Sequence, residues 1–207
     1  MSVAFGPIEW ICGVRQPRFV LELRGDNRRR SRLRLVFEDR VLRRTETLLT
    51  VGPFPEQHRR PANPFARVEQ LLGKWPSPPL IALDIRGHET RAGEYDGQKD
   101  RAVLFHNAGT LAERLDTLLH EAVGHGSGAK HRLNRVSLAD YGIVPGAAED
   151  EEAIARLTVA IARHRIGAVH FGRSGEIHKL AAIDDCVRIR EVARQAHRAV
   201  VYFFKGK

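Results

Sequence analysis

A chain of 207 residues, 43% hydrophobic and 29% charged, is long enough to bury a substantial core in one large domain or two small ones. It holds no long apolar run, which excludes a membrane-spanning helix. The start "MSVAFGPIEWICGV" lacks a basic region and is interrupted by Pro7 and Glu9, so it is not expected to act as a secretory leader. The two cysteines, Cys12 and Cys186, are far apart and build no disulfide framework, so a reducing, cytoplasmic setting is the expectation.

The net charge of +9 is unevenly placed: Arg15 to Arg60 holds 13 arginines against six acids, and the rest of the chain is close to neutral. This stretch reads as β structure. "RFVLEL" (Arg18–Leu23) is one strand, Gly25-Asp26-Asn27 marks a turn, "RLRLVFE" (Arg32–Glu38) alternates arginine with apolar residues, and "ETLLTVG" is a third strand. Arginines on one strand face either solubilise that face or contact phosphates. The candidates for weak nucleic-acid binding without sequence preference are Arg28, Arg29, Arg30, Arg32 and Arg34. "PFPEQHRRPANP" then reads as a linker, which divides the chain into a basic portion, residues 1–60, and a larger domain, residues 61–207.

A short helix follows, with Asn63 as N-cap, Pro64 at its first position and Gly73 beyond its end. "PLIALDI" (Pro79–Ile85) and "RAVLFHN" (Arg101–Asn107) read as strands around the turn-rich "RGHETRAGEYDGQKD". Thr110 and Glu113 form a capping box before a helix whose apolar face carries Leu111, Leu115, Leu118, Leu119 and Ala122. Another helix starts in the acidic run "EDEE" (Glu149–Glu152), buries Ile154, Leu157 and Ile161, and stops at Gly167. A last helical stretch runs from Ser174 toward Phe204, with a break expected near Asp184–Asp185 and an apolar stripe of Ile189, Val192, Ala196, Ala199 and Phe203.

The chemistry concentrates in "HEAVGHGSGAKH". His120 and His125 are five apart, one more than in the zinc-peptidase signature H-E-x-x-H. At about 100° per residue, an i+4 partner sits about 40° from His120, whereas an i+5 partner sits about 140° away and cannot share an ion with it. A single π-type turn absorbs the extra residue, so the helix is expected to widen between the two histidines. Gly124 lowers the steric cost of such a bulge, and Gly126 and Gly128 let the chain leave the helix. Two imidazoles and a carboxylate would then hold Zn2+ and leave a position for water, with Glu121 as general base. For the third ligand the spacing leaves two candidates open: His131, which completes H-x-x-G-x-x-H, and a carboxylate of the "EDEE" run. Met1 is the sole methionine, so the methionine turn that accompanies the first arrangement has no source.

The segments "HEAVGHGSG" and "EEAIAR" resemble the H-E-x-x-x-H and Glu-Glu motifs of dipeptidyl-peptidase III enzymes, which are much longer proteins. More broadly, "HRLNR" (His131–Arg135), Tyr141-Gly142, "EEAIARLTVAIARHRIG" (Glu151–Gly167) and "IREVARQAHRAVVYF" (Ile189–Phe203) occur in the order found in the zincin-like metallopeptidase domain of ArdC-type antirestriction proteins. "GEYDGQKDRAVLF" is similar to the strands before that family's active-site helix. The resemblance covers about residues 65–204. It departs from the family in the extra residue of the metal motif and in residues 1–60, which do not match the family's single-stranded-DNA-binding domain. It implies His120, His125 and Glu152 as metal ligands, with Glu151 orienting a histidine.

The expected architecture is thus an α+β, zincin-like metallopeptidase fold with a small basic β-rich N-terminal portion. The expected function is zinc-dependent hydrolysis of a peptide or protein substrate, with "RAVLFHN" as the edge strand that pairs with it. The rival is a nucleic-acid-binding antirestriction-type protein whose metal site is structural or vestigial.

Overall fold

The computed structural model describes residues 3–4, 17–24, 32–39, 44–51, 63–85, 88, 90–106, 109–135, 147–167 and 186–207; up to residue 51, and at 147–149 and 186–190, it describes the backbone only. It is a mixed α+β structure with two separate sheets.

The first sheet is antiparallel, in the order β1-β4-β3-β2, from β1 (Val3–Ala4), β2 (Pro17–Arg24), β3 (Arg32–Asp39) and β4 (Arg44–Val51). The three strands read from the alternation pattern are present, each slightly longer than expected. The two-residue β1 adds an edge that the sequence pattern does not announce. Arg32 is registered opposite Arg24 and Arg34 opposite Glu22. The Gly25–Asn27 turn and Arg28, Arg29 and Arg30 lie outside the described residues.

Helix α1 (Pro64–Leu72) begins as expected, with the Asn63 side chain accepting from the backbone N–H groups of Phe65 and Ala66. Gly73 ends it in a right-handed conformation (φ −61), so the glycine is not needed there for a left-handed turn. The second sheet has the order β5-β7-β6, with β5 (Leu80–Asp84) parallel and β6 (Gly93–Asp96) antiparallel to the central β7 (Arg101–Phe105). Two expectations are corrected here. "GEYD" lies inside the stretch whose composition reads as turn-rich, yet it forms β6, as the resemblance of "GEYDGQKDRAVLF" implied: pairing to β7 outweighs its glycine-rich flanks. And "RAVLF" is not an edge strand, because β5 and β6 occupy both of its sides; the edges belong to those two.

Helix α2 (Leu111–Leu118) starts from the full Thr110–Glu113 capping box. It continues without interruption into a π-helix (Leu119–His125) and a 3₁₀ turn (Gly126–Gly128). Helices α3 (Ala147–Arg165) and α4 (Cys186–Lys205) pack against this composite helix and each other. The last helix is described from Cys186 onward, and the expected break near Asp184–Asp185 and the stretch from Ser174 that precedes it lie outside the described residues. Leu118, Leu119, Ala122 and Val123 join Val68, Leu72, Trp75, Leu104 and Phe203 in the core. Leu111 does not: it is 72% exposed, because the first turn of α2 projects beyond the elements that cover the rest of the stripe. No helix among the described residues is long and apolar enough to cross a membrane.

Candidate metal centre

The wide turn is where the angular mismatch requires it. An i→i+5 turn adds one residue without rotating the helix beyond it, so the two imidazoles meet on one side. Their rings lie edge to face, 4.7 Å apart, and their Nε2 atoms are 3.1 Å apart. Gly124, inside this turn, has a role beyond conformational freedom. A Cβ there would lie 2.7 Å from the Cβ of Ala155 and 2.8 Å from its Cα. Glycine at this position lets α3 approach closely enough to bring its acidic end to the histidines. Gly93 does the same for β6: a Cβ would lie 2.5 Å from Thr117 Cγ2 and 3.2 Å from Glu121 Cγ.

Adjacent glutamates on α3 point to different sides of the pair. Glu152 places Oε2 3.4 Å from His120 Nε2 and 3.7 Å from His125 Nε2, and its Oε1 accepts from Arg156 Nε at 2.7 Å. Glu151 instead lies behind His125, with Oε1 3.6 Å from Nδ1. Its carboxylate is gripped by the guanidinium of Arg135, which donates from Nε to Oε2 and from Nη2 to Oε1. Glu121, 8% exposed, is the third carboxylate: its ligand atom and those of the two histidines lie within 4.8 Å of one another.

The electrostatics reflect this crowding. Hydrogen bonding to His120 and His125 holds the Glu152 carboxyl far below the ordinary range. Burial opposes a charge on His125, but contact with Glu151 and Glu152, helped by Glu121, outweighs it and lifts that pKa to about 9. Burial pushes the Glu121 carboxyl up, against the pull of the two histidines.

The cluster's shape suits a metal ion. Ligands bound tetrahedrally at about 2.0–2.1 Å stand about 3.3–3.4 Å apart. The separations here are 3.1, 3.4 and 3.7 Å among the two Nε2 atoms and Glu152 Oε2. His131 is not part of this group. It pairs through Nε2 with Asp100 Oδ2 at 3.2 Å and is half-exposed. Asp100 in turn belongs to a separate cluster with Tyr95 and Arg132. Of the residues singled out in the sequence, His120, Glu121, His125, Glu151 and Glu152 are brought together. Cys12 and Arg28–Arg30 lie outside the described residues, and of Arg32 and Arg34 only the backbone is described.

Arg135 is the participant that motif reading passed over. It stands in the quoted "HRLNR", but nothing local in that string distinguishes a buried arginine from a surface one. The hints were its place in a motif of the resemblance and Gly128, whose missing Cβ leaves room for the guanidinium: a Cβ would lie 2.8 Å from Nη2.

No family model matches the chain, and no curated protein matches its sequence. Its fold is similar to solved structures of the antirestriction protein ArdC from the R388 plasmid. Against the metal-free form the TM-score is 0.51 at 17% identity, covering 92% of this chain and 69% of that one. Against the Mn(II)-bound form it is 0.53 at 19% identity, covering 86% and 69%. At such identities the likeness establishes a shared fold, which is the level at which the resemblance read from the sequence is upheld.

Proposed function

We propose that this chain is an antirestriction-type protein built around a divalent metal centre, with His120, His125 and Glu152 as its ligands. The observation that carries the reading is the convergence of these three side chains across the π-turn, in a fold shared with a protein that has been solved with Mn(II). Two imidazoles and one carboxylate are a donor set suited to Zn2+, whereas a site richer in oxygen would suit manganese better. The arginines between Arg15 and Arg60, Arg28–Arg30 with Arg32 and Arg34 foremost, would contact nucleic-acid phosphates. Such binding weakens with salt by a log–log slope of about −0.7 per contact on single strands. The test is direct. Cells that express the chain should protect an incoming unmodified plasmid from restriction. Purified protein should bind one Zn2+ or Mn2+ per chain, and Glu152→Ala and His125→Ala should lose it. Unchanged metal content in both variants would refute the site.

A second reading, zinc-dependent peptide hydrolysis, is favoured by Glu121. A structural site needs no base, yet a buried carboxylate with a raised pKa stands beside the histidines. A bound metal ion would supply Lewis acidity and a more acidic water. The chain's own part would be proton movement: a Glu121 carboxylate oxygen would accept the proton of the attacking water and return it to the leaving nitrogen. The sheet edge near this carboxylate is β6, so an extended substrate would pair there and not with β7. Glu121→Gln should retain metal and lower cleavage of a fluorescent casein by about 10²–10⁴-fold. Equal cleavage by wild type and Glu121→Gln would leave the antirestriction reading without hydrolysis.

A further inference from the structure

We infer that Arg135 is a positioning residue for the metal centre: it locks Glu151 behind His125 and so fixes that imidazole with Nε2 turned toward His120 and Glu152. The inference rests on the metal reading above. Arg135 bonds Glu151, Ser127 and the carbonyl of Gly124, and through them it reaches His125 by two routes.

The first route passes through the imidazole. The guanidinium takes both oxygens of Glu151, and the same carboxylate presents Oε1 to His125 Nδ1 at 3.6 Å. A glutamate alone has three side-chain torsions; a two-pronged arginine contact fixes the carboxylate plane. Glu151 then favours a proton on Nδ1 of His125 and leaves Nε2 as the ligand atom. The second route is through the backbone. Arg135 Nη2 also donates to the carbonyl of Gly124, the residue just before His125, and Nη1 donates to Ser127 Oγ, whose hydroxyl bonds the same carbonyl. The guanidinium thus closes the end of the widened turn as well as the back of the ring. Its side chain is 1% exposed and that of Glu151 8%, so water does not compete for these bonds.

A buried arginine three residues away is a control for the route through the imidazole, since it too bonds a carbonyl beside His125, that of Gly126, but holds no carboxylate against the ring. Arg132 is equally enclosed and bonds the carbonyls of Gly126 and Ser77 together with Asp100, but neither Glu151 nor His125.

The experiment measures Zn2+ affinity by chelator competition in wild type, His125→Ala, Arg135→Gln, Arg135→Lys and Arg132→Gln, with circular dichroism to verify folding. The Co2+ absorption spectrum reports ligand geometry in the same set. The double variant Arg135→Gln/Glu151→Gln replaces the charged pair by two amides, which keeps the fold testable if Arg135→Gln alone does not fold. Arg135→Gln and Arg135→Lys should each bind Zn2+ roughly 10–100-fold more weakly, with an altered Co2+ spectrum. Arg135→Lys should fail despite its charge, because an ammonium cannot hold both carboxylate oxygens. The double variant should be weakened alike, while Arg132→Gln should keep wild-type affinity in its folded fraction. Folded Arg135 variants with wild-type affinity and spectrum would overturn the inference and leave the metal reading intact. Loss of the fold in both the single and the double variants would overturn it as well, making Arg135 a residue of the fold. If wild type binds no better than His125→Ala, the metal reading falls and the inference falls with it.

Discussion

Two buried arginines, Arg132 and Arg135, leave the same short segment and enter two different clusters. Arg132 lies over the Trp75 ring, with its guanidinium carbon 5.3 Å from the ring centroid. It ties Asp100, at the turn between β6 and β7, and Tyr95, within β6, to the carbonyls of Ser77 and Gly126. Arg135 ties α3 to the end of the π-turn through Glu151, Ser127 and Gly124. Asn134 lies between them in the left-handed region, at φ 46, a conformation asparagine tolerates better than most residues. The Arg132 cluster meets the backbone beside His125 through the carbonyl of Gly126, whereas the Arg135 cluster also abuts the ligand ring itself through Glu151. Burial and charge therefore do not separate a fold-holding arginine from a site-holding one; what the paired carboxylate touches next does.

The largest effect should come from Arg132→Ala. Removing one member of a buried, multiply bonded ion pair costs about 3–5 kcal/mol, less where the partner is partly exposed, as Asp100 is. Urea unfolding should show that loss while the folded fraction keeps its metal affinity; a parallel loss of affinity would erase the distinction between the two clusters. Gly124→Ala should come next. The added methyl meets the Ala155 backbone, and overpacking of this kind costs about 1–3 kcal/mol. Because the clash separates α3 from the histidines, metal affinity should fall as well. Ala155→Gly should restore part of both, and an additive double variant would show that the two positions do not meet.

The two clusters can also be compared by pH. Burial opposes the charge on Asp100, but donation from Arg132 and Tyr95 outweighs it and holds the carboxyl below its ordinary value of 3.8. A carboxyl lowered in the folded state stabilises above its unfolded pKa, and the contribution fades as pH falls through the folded value. The stability difference between wild type and Asp100→Asn should therefore be full near neutrality and shrink below about pH 4. A difference that persists at lower pH would mean that packing, not charge, holds this cluster. The smallest effect is expected for His131→Ala. Its pair with Asp100 is half-exposed, and such pairs contribute about 0.2–1 kcal/mol. Metal affinity should not change; if it did, His131 would belong to the site after all.

The sequence by itself determined much of the local structure. The Thr110–Glu113 capping box, the Asn63-Pro64 helix start and the alternating strands depend on neighbours within a few residues, and all are present. The widened turn was legible too, because two histidines five apart cannot face one way on a regular α-helix. The third sheet strand was legible only through the resemblance of "GEYDGQKDRAVLF", not from its own composition. "GEYD" has little strand character of its own and is held by β7, so turn-forming flanks misdirect any local reading. The place of "RAVLF" as a centre strand depends on which segments fold back on both its sides. Leu111 fits the apolar stripe by period yet faces solvent, because nothing among the described residues packs over the first turn. The resemblance implied Glu152 as the ligand and Glu151 as the residue orienting a histidine, but what turns the two carboxylates to different sides of His125 is seen only in the tertiary structure. That arrangement depends on how close α3 comes to the π-turn, which the missing Cβ of Gly124 permits, and on Arg135 arriving from another segment to take one carboxylate away.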